Sequence, residues 1–249
     1  PFTRSEAYLR DLAHQRELLA APPALSRDRL TAALRRAAEW QHTSLWMVSG
    51  ASDSPDADTS WYRGVFYAGL IPAHRATGDA YYLDKARALA ARTGARLGLA
   101  ALTTPDCVTI GQTYLDLYSL QPDAALIAPT RAKLDEILAH PVHRTPPTHY
   151  IDLVFMAAGA WGRLGQLSGD PRHHDYVRAF WRANRDKFRD PATGLFVRDA
   201  TWLAQPDGFR LLERNGQPVF WGRGNGWAIG GLAQILLTLP ADDPARAEF

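Results

Sequence analysis

Four segments of this chain repeat one plan: an apolar helix rich in small residues, a short turn, then an amphipathic helix. They begin at Gly64 (GVFYAGLIPAHRATGDAYYLDKARALAART), Gly111 (GQTYLDLYSLQPDAALIAPTRAKLDEIL), Val154 (VFMAAGAWGRLGQLSGDPRHHDYVRAFWRAN) and Asn225 (NGWAIGGLAQILLTLPADDPARAEF). In the first, Gly78-Asp79 marks the turn, and Leu83, Ala86, Leu89 and Ala90 then recur at helical spacing with Asp84, Lys85 and Arg87 between them. In the third, Gly169-Asp170-Pro171 marks the turn and Tyr176, Val177 and Phe180 form the apolar stripe. Each hairpin therefore pairs a buried helix with a half-exposed one. Repeated antiparallel hairpins of this kind close into a double ring, an all-α (α/α)6 toroid whose inner helices run parallel; a solenoid of the same hairpins is the competing arrangement.

Residues 5–20 and 26–42 read as two further helices, the second capped by Ser26. The only strand signals are Gly194–Trp202 and Pro218–Phe220, which are expected to pair as a short hairpin across the Asn215-Gly216 turn. With ten helices expected and the last ending at Ala245–Phe249, residues 1–249 are read as one α/α-barrel domain lacking its final helices. Charge excludes some partners: 28 basic and 26 acidic residues are dispersed with no basic run, so no nucleic acid is expected. No apolar stretch approaches the roughly 20 residues of a membrane helix, and none is expected to meet a membrane. The one cysteine, Cys107, cannot form an internal disulfide or a thiolate cage. His140, His143, His173 and His174 are read as solvated side chains, so no metal or other cofactor is expected.

The residues that break the repeat stand before the buried helices: Trp61 and Arg63, then Asp106, then Asp152, then Trp221 and Arg223. If the inner helices are parallel, their N-termini gather at one rim, and these side chains converge on a single depression. Asp106 and Asp152, taken singly, read as helix N-caps. Brought together in a partly dry site, two carboxylates repel, one pKa rises, and that group holds a proton near neutral pH. The positive helix end opposes that rise.

The stretch VFWGRGNGWAIGGL, Val219–Leu232, adds a cation, an amide and two indoles. Gly222, Gly224 and Gly226 are read as positive-φ positions letting the backbone approach a ligand, before a helix starting near Trp227. Arg223 offers a planar fork for a carboxylate, and Trp221 and Trp227 offer faces for a sugar ring. The plain alternative is a glycine-rich turn with core tryptophans. A phosphate loop is disfavoured, because no βαβ unit or terminal Lys-Ser/Thr accompanies the glycines.

SWYRGVFYAGL, PDCVTIGQTYLDLY, YIDLVFMA, GLFVRDATW and VFWGRGNGW follow one another as in glycoside hydrolase family 105, the unsaturated rhamnogalacturonyl hydrolases, which this chain resembles from about Trp61 to its end. That family is allied to the unsaturated glucuronyl hydrolases of family 88. The resemblance implies an (α/α)6 barrel that releases a 4,5-unsaturated uronic acid from the non-reducing end of lyase-generated, pectic oligosaccharides by hydrating the enol-ether double bond. It assigns Asp152 as general acid/base and Asp106 as the second carboxylate that positions substrate or water. It gives Arg223 the uronate carboxylate, Trp61, Trp221 and Trp227 the sugar subsite, and Asn225 a hydroxyl. Arg63 and His149, the latter beside Tyr150, are further lining candidates. After GLF the family often has histidine, where this chain has Val197, Arg198 and Asp199, which leaves the substrate open. Two other readings stand beside this one: an inverting glycosidase using Asp106 and Asp152 on a saturated sugar, and a non-catalytic helical-repeat carbohydrate-binding fragment.

Overall fold

The computed structural model describes residues 6–20, 26–44, 58–98, 105–140, 148–205 and 208–249; His143 lies outside them. The chain divides into two compact units, Pro1–Ser44 and Leu45–Phe249. The first contains α1 (Glu6–Ala20) and α2 (Arg27–Thr43), the latter capped by Ser26, whose hydroxyl accepts from Arg29 N at 3.2 Å.

The second unit is built from the four repeats. The first is a broken inner helix, α3 (Trp61–Ala68) and α4 (Leu70–Thr77), followed by α5 (Ala80–Thr93). The second is α6 (Gly111–Leu120) with α7 (Ala124–Ala139). The third is again broken, α8 (Leu153–Met156) and α9 (Ala158–Ser168), followed by α10 (Pro171–Phe188). The fourth is α11 (Gly222–Thr238), followed only by a 3-10 turn, Pro244–Glu248. The turn signals act as their chemistry requires. Gly78 and Gly169 end α4 and α9 at φ 74° and 69°, a left-handed conformation that costs glycine little, and Asp79 and Asp170 then cap α5 and α10.

Each outer helix packs on the inner helix of its own hairpin: α5 on α4, α7 on α6, α10 on α9. The inner helices pack in sequence, α3 and α4 on α6, α6 on α9, α9 on α11. Their register shows that they are parallel. Gly64 faces Ile110 and Arg75 reaches Ser119; Gln112 meets Phe155 and Asp116 meets Arg163; Val154 lies against Gly231, Gly159 against Gln234 and Gly162 against Thr238. In every interface the numbers rise together, as parallel neighbours demand. Small residues permit the closeness: a Cβ on Gly231 would stand 2.6 Å from the Val154 carbonyl. The core of this unit joins the inner layer, through Leu115, Val154 and Trp161, to the outer one, through Leu134, Val177 and Phe180.

Four expectations change. Among the described residues no hairpin of strands joins 194–202 to 218–220; three isolated bridges form instead, Tyr150 with Asp199, Arg189 with Phe196, and Leu212 with Pro218 across the Asn215-Gly216 turn. The fourth hairpin has no full outer helix. Its 3-10 turn is held to α10 by Arg182 on Glu248 and by Trp181 Nε1 donating to Glu248 O at 3.3 Å. The helix α11 starts at Gly222, five residues before Trp227, and none of Gly222, Gly224 and Gly226 has positive φ. Gly224 is small for another reason: its Cβ would fall 2.8 Å from the Trp221 ring. Finally, His173 and His174 are buried, because both lie on the inward face of α10, where His174 closes over Gly165.

Two substitutions on one helix test this packing. Gly231→Ala is expected to cost about 1–3 kcal/mol by forcing α11 off α8, whereas Gly226→Ala, with nothing within 4 Å of its Cβ, is expected to stabilise by up to about 1 kcal/mol through helix propensity. Urea unfolding of both reads the difference, and equal effects would contradict the close approach.

Candidate active site

The rim defined by the inner-helix N-termini brings together side chains far apart in the chain. Asp106 lies in the 3-10 turn Pro105–Val108, which packs against both α3 and α8. Asp152 immediately precedes α8 but makes no capping bond. It is 8% exposed, and its Oδ2 has no hydrogen-bond partner. Asp106 does not cap either: its Oδ2 accepts from the Tyr150 hydroxyl at 2.7 Å. The plain reading of both aspartates as N-caps is thereby removed. A buried, unsatisfied carboxylate oxygen costs stability, and a functional role would account for that cost.

Burial is the main cause that raises the Asp152 pKa. Its own backbone N–H, then Arg198 and Arg223, act against the rise, and the charge of Asp106 adds to it. Asp106 is also raised by burial, with the Tyr150 hydroxyl opposing. Desolvation, rather than repulsion between the two carboxylates, is thus the principal device. Tyr150 is raised in turn by burial and then by its bond to Asp106, which keeps the phenol protonated as a donor.

Cations frame the acids. The Arg223 guanidinium lies over the Trp221 ring, 4.2 Å from its centre, and Arg198 lies 5.5 Å from the same ring. Arg223 is exposed, in the first turn of α11, whose start no side chain caps. Uncapped N–H groups and a cation thus stand at the same helix start, a combination suited to an anion. An added Cβ at Gly222 or at Gly226 meets nothing within 4 Å, so this face of α11 is open where a ligand would approach.

The sequence-derived candidates separate into two groups. Asp106, Asp152, Trp221 and Arg223 converge. Trp227 packs on Phe155 of α8, ring centres 4.9 Å apart, and Trp61 opens α3 beside that same 3-10 turn. Arg63 does not point to the depression: it is buried and paired with Asp58, which also holds Arg92 at 2.7 Å. Asn225 serves the backbone. Its Oδ1 accepts from Phe196 N and its Nδ2 donates to Phe196 O, both at 2.9 Å, fastening the 194–198 segment to α11. His149 is exposed, and its neighbour Tyr150 takes the inward position. Arg198, in the segment after GLF where the family often has histidine, also stands at this rim. Its backbone carbonyl accepts from Ile151 N at 2.9 Å, which places it beside Asp152.

The sequence profile of Glycosyl Hydrolase Family 88 matches residues 33–249. Two curated proteins named unsaturated 3S-rhamnoglycuronyl hydrolase are similar to this chain. The one from Alteromonas sp. (strain LOR) is 28% identical over 238 residues, covering 86% of this chain and 56% of that protein. The one from Formosa agariphila is 26% identical over 248 residues, covering 93% and 63%. The chain thus spans 56–63% of the length of these relatives. A solved family 88 glycosyl hydrolase from Bacteroides vulgatus superposes with TM-score 0.71 at 22% identity, covering 85% of this chain and 64% of that one. A family 105 glycoside hydrolase from C. acetobutylicum superposes with TM-score 0.62 at 18% identity, covering 84% and 62%. Both share the helical-hairpin fold.

The raised Asp152 pKa has a sign that can be read as stability. The folded state favours the protonated carboxyl, so ionisation costs stability at neutral pH, and that cost fades as pH falls to the ordinary carboxylate range. Asp152→Asn is expected to raise Tm at about pH 7.5 and to lose the advantage by about pH 4. Calorimetry across that interval checks this; a variant less stable than the parent at the higher pH would contradict it.

Proposed function

The chain belongs to glycosyl hydrolase family 88, and from that premise we propose that it removes a 4,5-unsaturated uronic acid from the non-reducing end of lyase-generated oligosaccharides. The observation that carries this reading is the buried Asp152 carboxyl with an unpartnered oxygen, raised pKa and an arginine-bearing helix start beside it. Residues 1–249 are taken as part of one catalytic domain.

The chemistry proposed is hydration. Asp152, protonated, delivers its proton to C4 of the enol ether while positive charge develops at C5. Water adds at C5 and returns a proton to the Asp152 carboxylate. The hemiketal so formed opens and expels the neighbouring sugar. One carboxyl thus performs both proton transfers, which suits a group whose pKa is held above its ordinary range but which can still ionise. Asp106, fixed by Tyr150, orients substrate or the water. Arg223 takes the uronate carboxylate in its planar fork, and the Trp221 indole beneath it offers a face to the sugar. Trp61 and Trp227 complete the lining.

The neighbouring sugar is proposed to be a rhamnose unit, as in the pectic, rhamnogalacturonan-type fragments that the sequence resemblance suggests. The names of the two curated relatives, rhamnoglycuronyl hydrolases, support rhamnose without choosing the polymer. Rhamnogalacturonan, glycosaminoglycan and ulvan fragments assayed side by side make that choice.

Loss of ultraviolet absorbance from the conjugated double bond follows turnover directly and is not given by hydrolysis of a saturated sugar. Asp152→Asn is expected to lower kcat by about 10²- to 10⁴-fold while uronate binding persists. Arg223→Met is expected to raise KM about 10- to 100-fold, the loss of one charge-assisted carboxylate contact. Full turnover by Asp152→Asn removes it from the mechanism, and saturated-sugar hydrolysis without absorbance loss replaces hydration with ordinary glycosidase chemistry.

A further inference from the structure

Beneath the two aspartates runs a buried polar chain that the proposed chemistry does not touch. Gln112, on α6 and fully buried, donates from Nε2 to Phe155 O at 3.1 Å and Met156 O at 3.2 Å, the last two residues of α8. Its Oε1 accepts from Arg163 Nη1 at 3.1 Å, and the Arg163 guanidinium stands 3.0 Å from Asp116, which is also buried. Arginine can only donate and a backbone carbonyl can only accept, so the amide has one admissible orientation. Gly159 makes room for it: a Cβ there would come 2.5 Å from Gln112 Oε1.

The placement matters because α8 is four residues long, separated from α9 by a break at Ala157, and carries Asp152 at its start. A helix of one turn has little rigidity of its own. Gln112 itself lies at the start of α6, directly after the turn that carries Asp106. We infer that Gln112 is a positioning residue: its amide locks α8 to α6 and thereby sets the geometry between Asp152 and Asp106, with Arg163 and Asp116 fixing the amide's orientation. This inference rests on the proposed role of Asp152. Gln112 acts on the reaction only through the backbone it holds.

The test compares Gln112→Met, which keeps size but loses both ends of the link, and Gln112→Glu, which turns a carboxylate toward two carbonyls. Arg163→Lys serves as a milder variant and Asp152→Asn as the control, all in the absorbance assay. Misplacement of a catalytic group by about 1 Å costs on the order of 10²-fold, so both Gln112 variants are expected to lose about 10- to 100-fold in kcat with KM within about twofold. The alkaline limb of the kcat profile should move to lower pH, as water reaches the loosened Asp152, and Arg163→Lys should show a smaller loss in the same direction. Hydrogen exchange should quicken across residues 152–160 and not elsewhere, a readout that needs no turnover.

Unchanged kcat and unchanged exchange in the Gln112 variants, with Asp152→Asn inactive, would overturn the inference and leave the proposed function intact. A fall that comes only through KM, or loss of cooperative melting in all three network variants, would assign the chain a purely structural role and overturn it too. Active Asp152→Asn would instead overturn the functional reading beneath it.

Discussion

Backbone-close contact between parallel inner helices is the constraint on which the site depends. Val154 meets Gly231 and Gly159 meets Gln234 at distances that admit no extra methyl group, so neighbouring helices are fixed in register as well as in direction. Parallel register leaves all the N-terminal approaches at one rim. Asp106, Asp152 and Arg223 meet there because of where their helices start. Among the described residues the inner layer is broken twice, between α3 and α4 at Gly69 and between α8 and α9 at Ala157.

The rim leaves one of its acids without a cation against it. Among the described residues two other buried acids have one: Asp58 pairs with Arg63 and Arg92, and Asp116 lies 3.0 Å from Arg163. Asp152 has an oxygen with no partner, and the arginines nearest it lean on the Trp221 indole rather than on its carboxylate. The proton transfers proposed for Asp152 are compatible with this, because a strong ion pair would keep the carboxyl ionised.

Much of this was legible in the chain. Repeated small-residue helices with Gly-Asp turns gave the hairpins, and the non-repeating residues at or just before the inner-helix starts, Asp106, Asp152, Trp221 and Arg223, marked the rim. Pairings between repeats were not legible. Nothing in the sequence tells that Arg63 meets Asp58 five residues away, that Asn225 pairs with the backbone of Phe196, or that Tyr150 and not His149 turns inward to Asp106. The glycines of GRGNG were given the wrong physical role, because a glycine needed for close packing, as at Gly224 beside Trp221, reads the same as one needed for positive φ. His173 and His174 stand among charged neighbours in the sequence, yet His173 lies three residues before Tyr176 and four before Val177, on the face of the apolar stripe, and both histidines are buried.

The central claim is that two distant aspartates share one partly dry rim, with burial raising the pKa of Asp152. Site-resolved carbon NMR titration of the Asp152 carboxyl, in the parent chain and in Asp106→Asn, measures this most directly. The account predicts titration above the ordinary carboxylate range, with a downward move when the Asp106 charge is removed. Titration in the ordinary range, indifferent to Asp106, would contradict it.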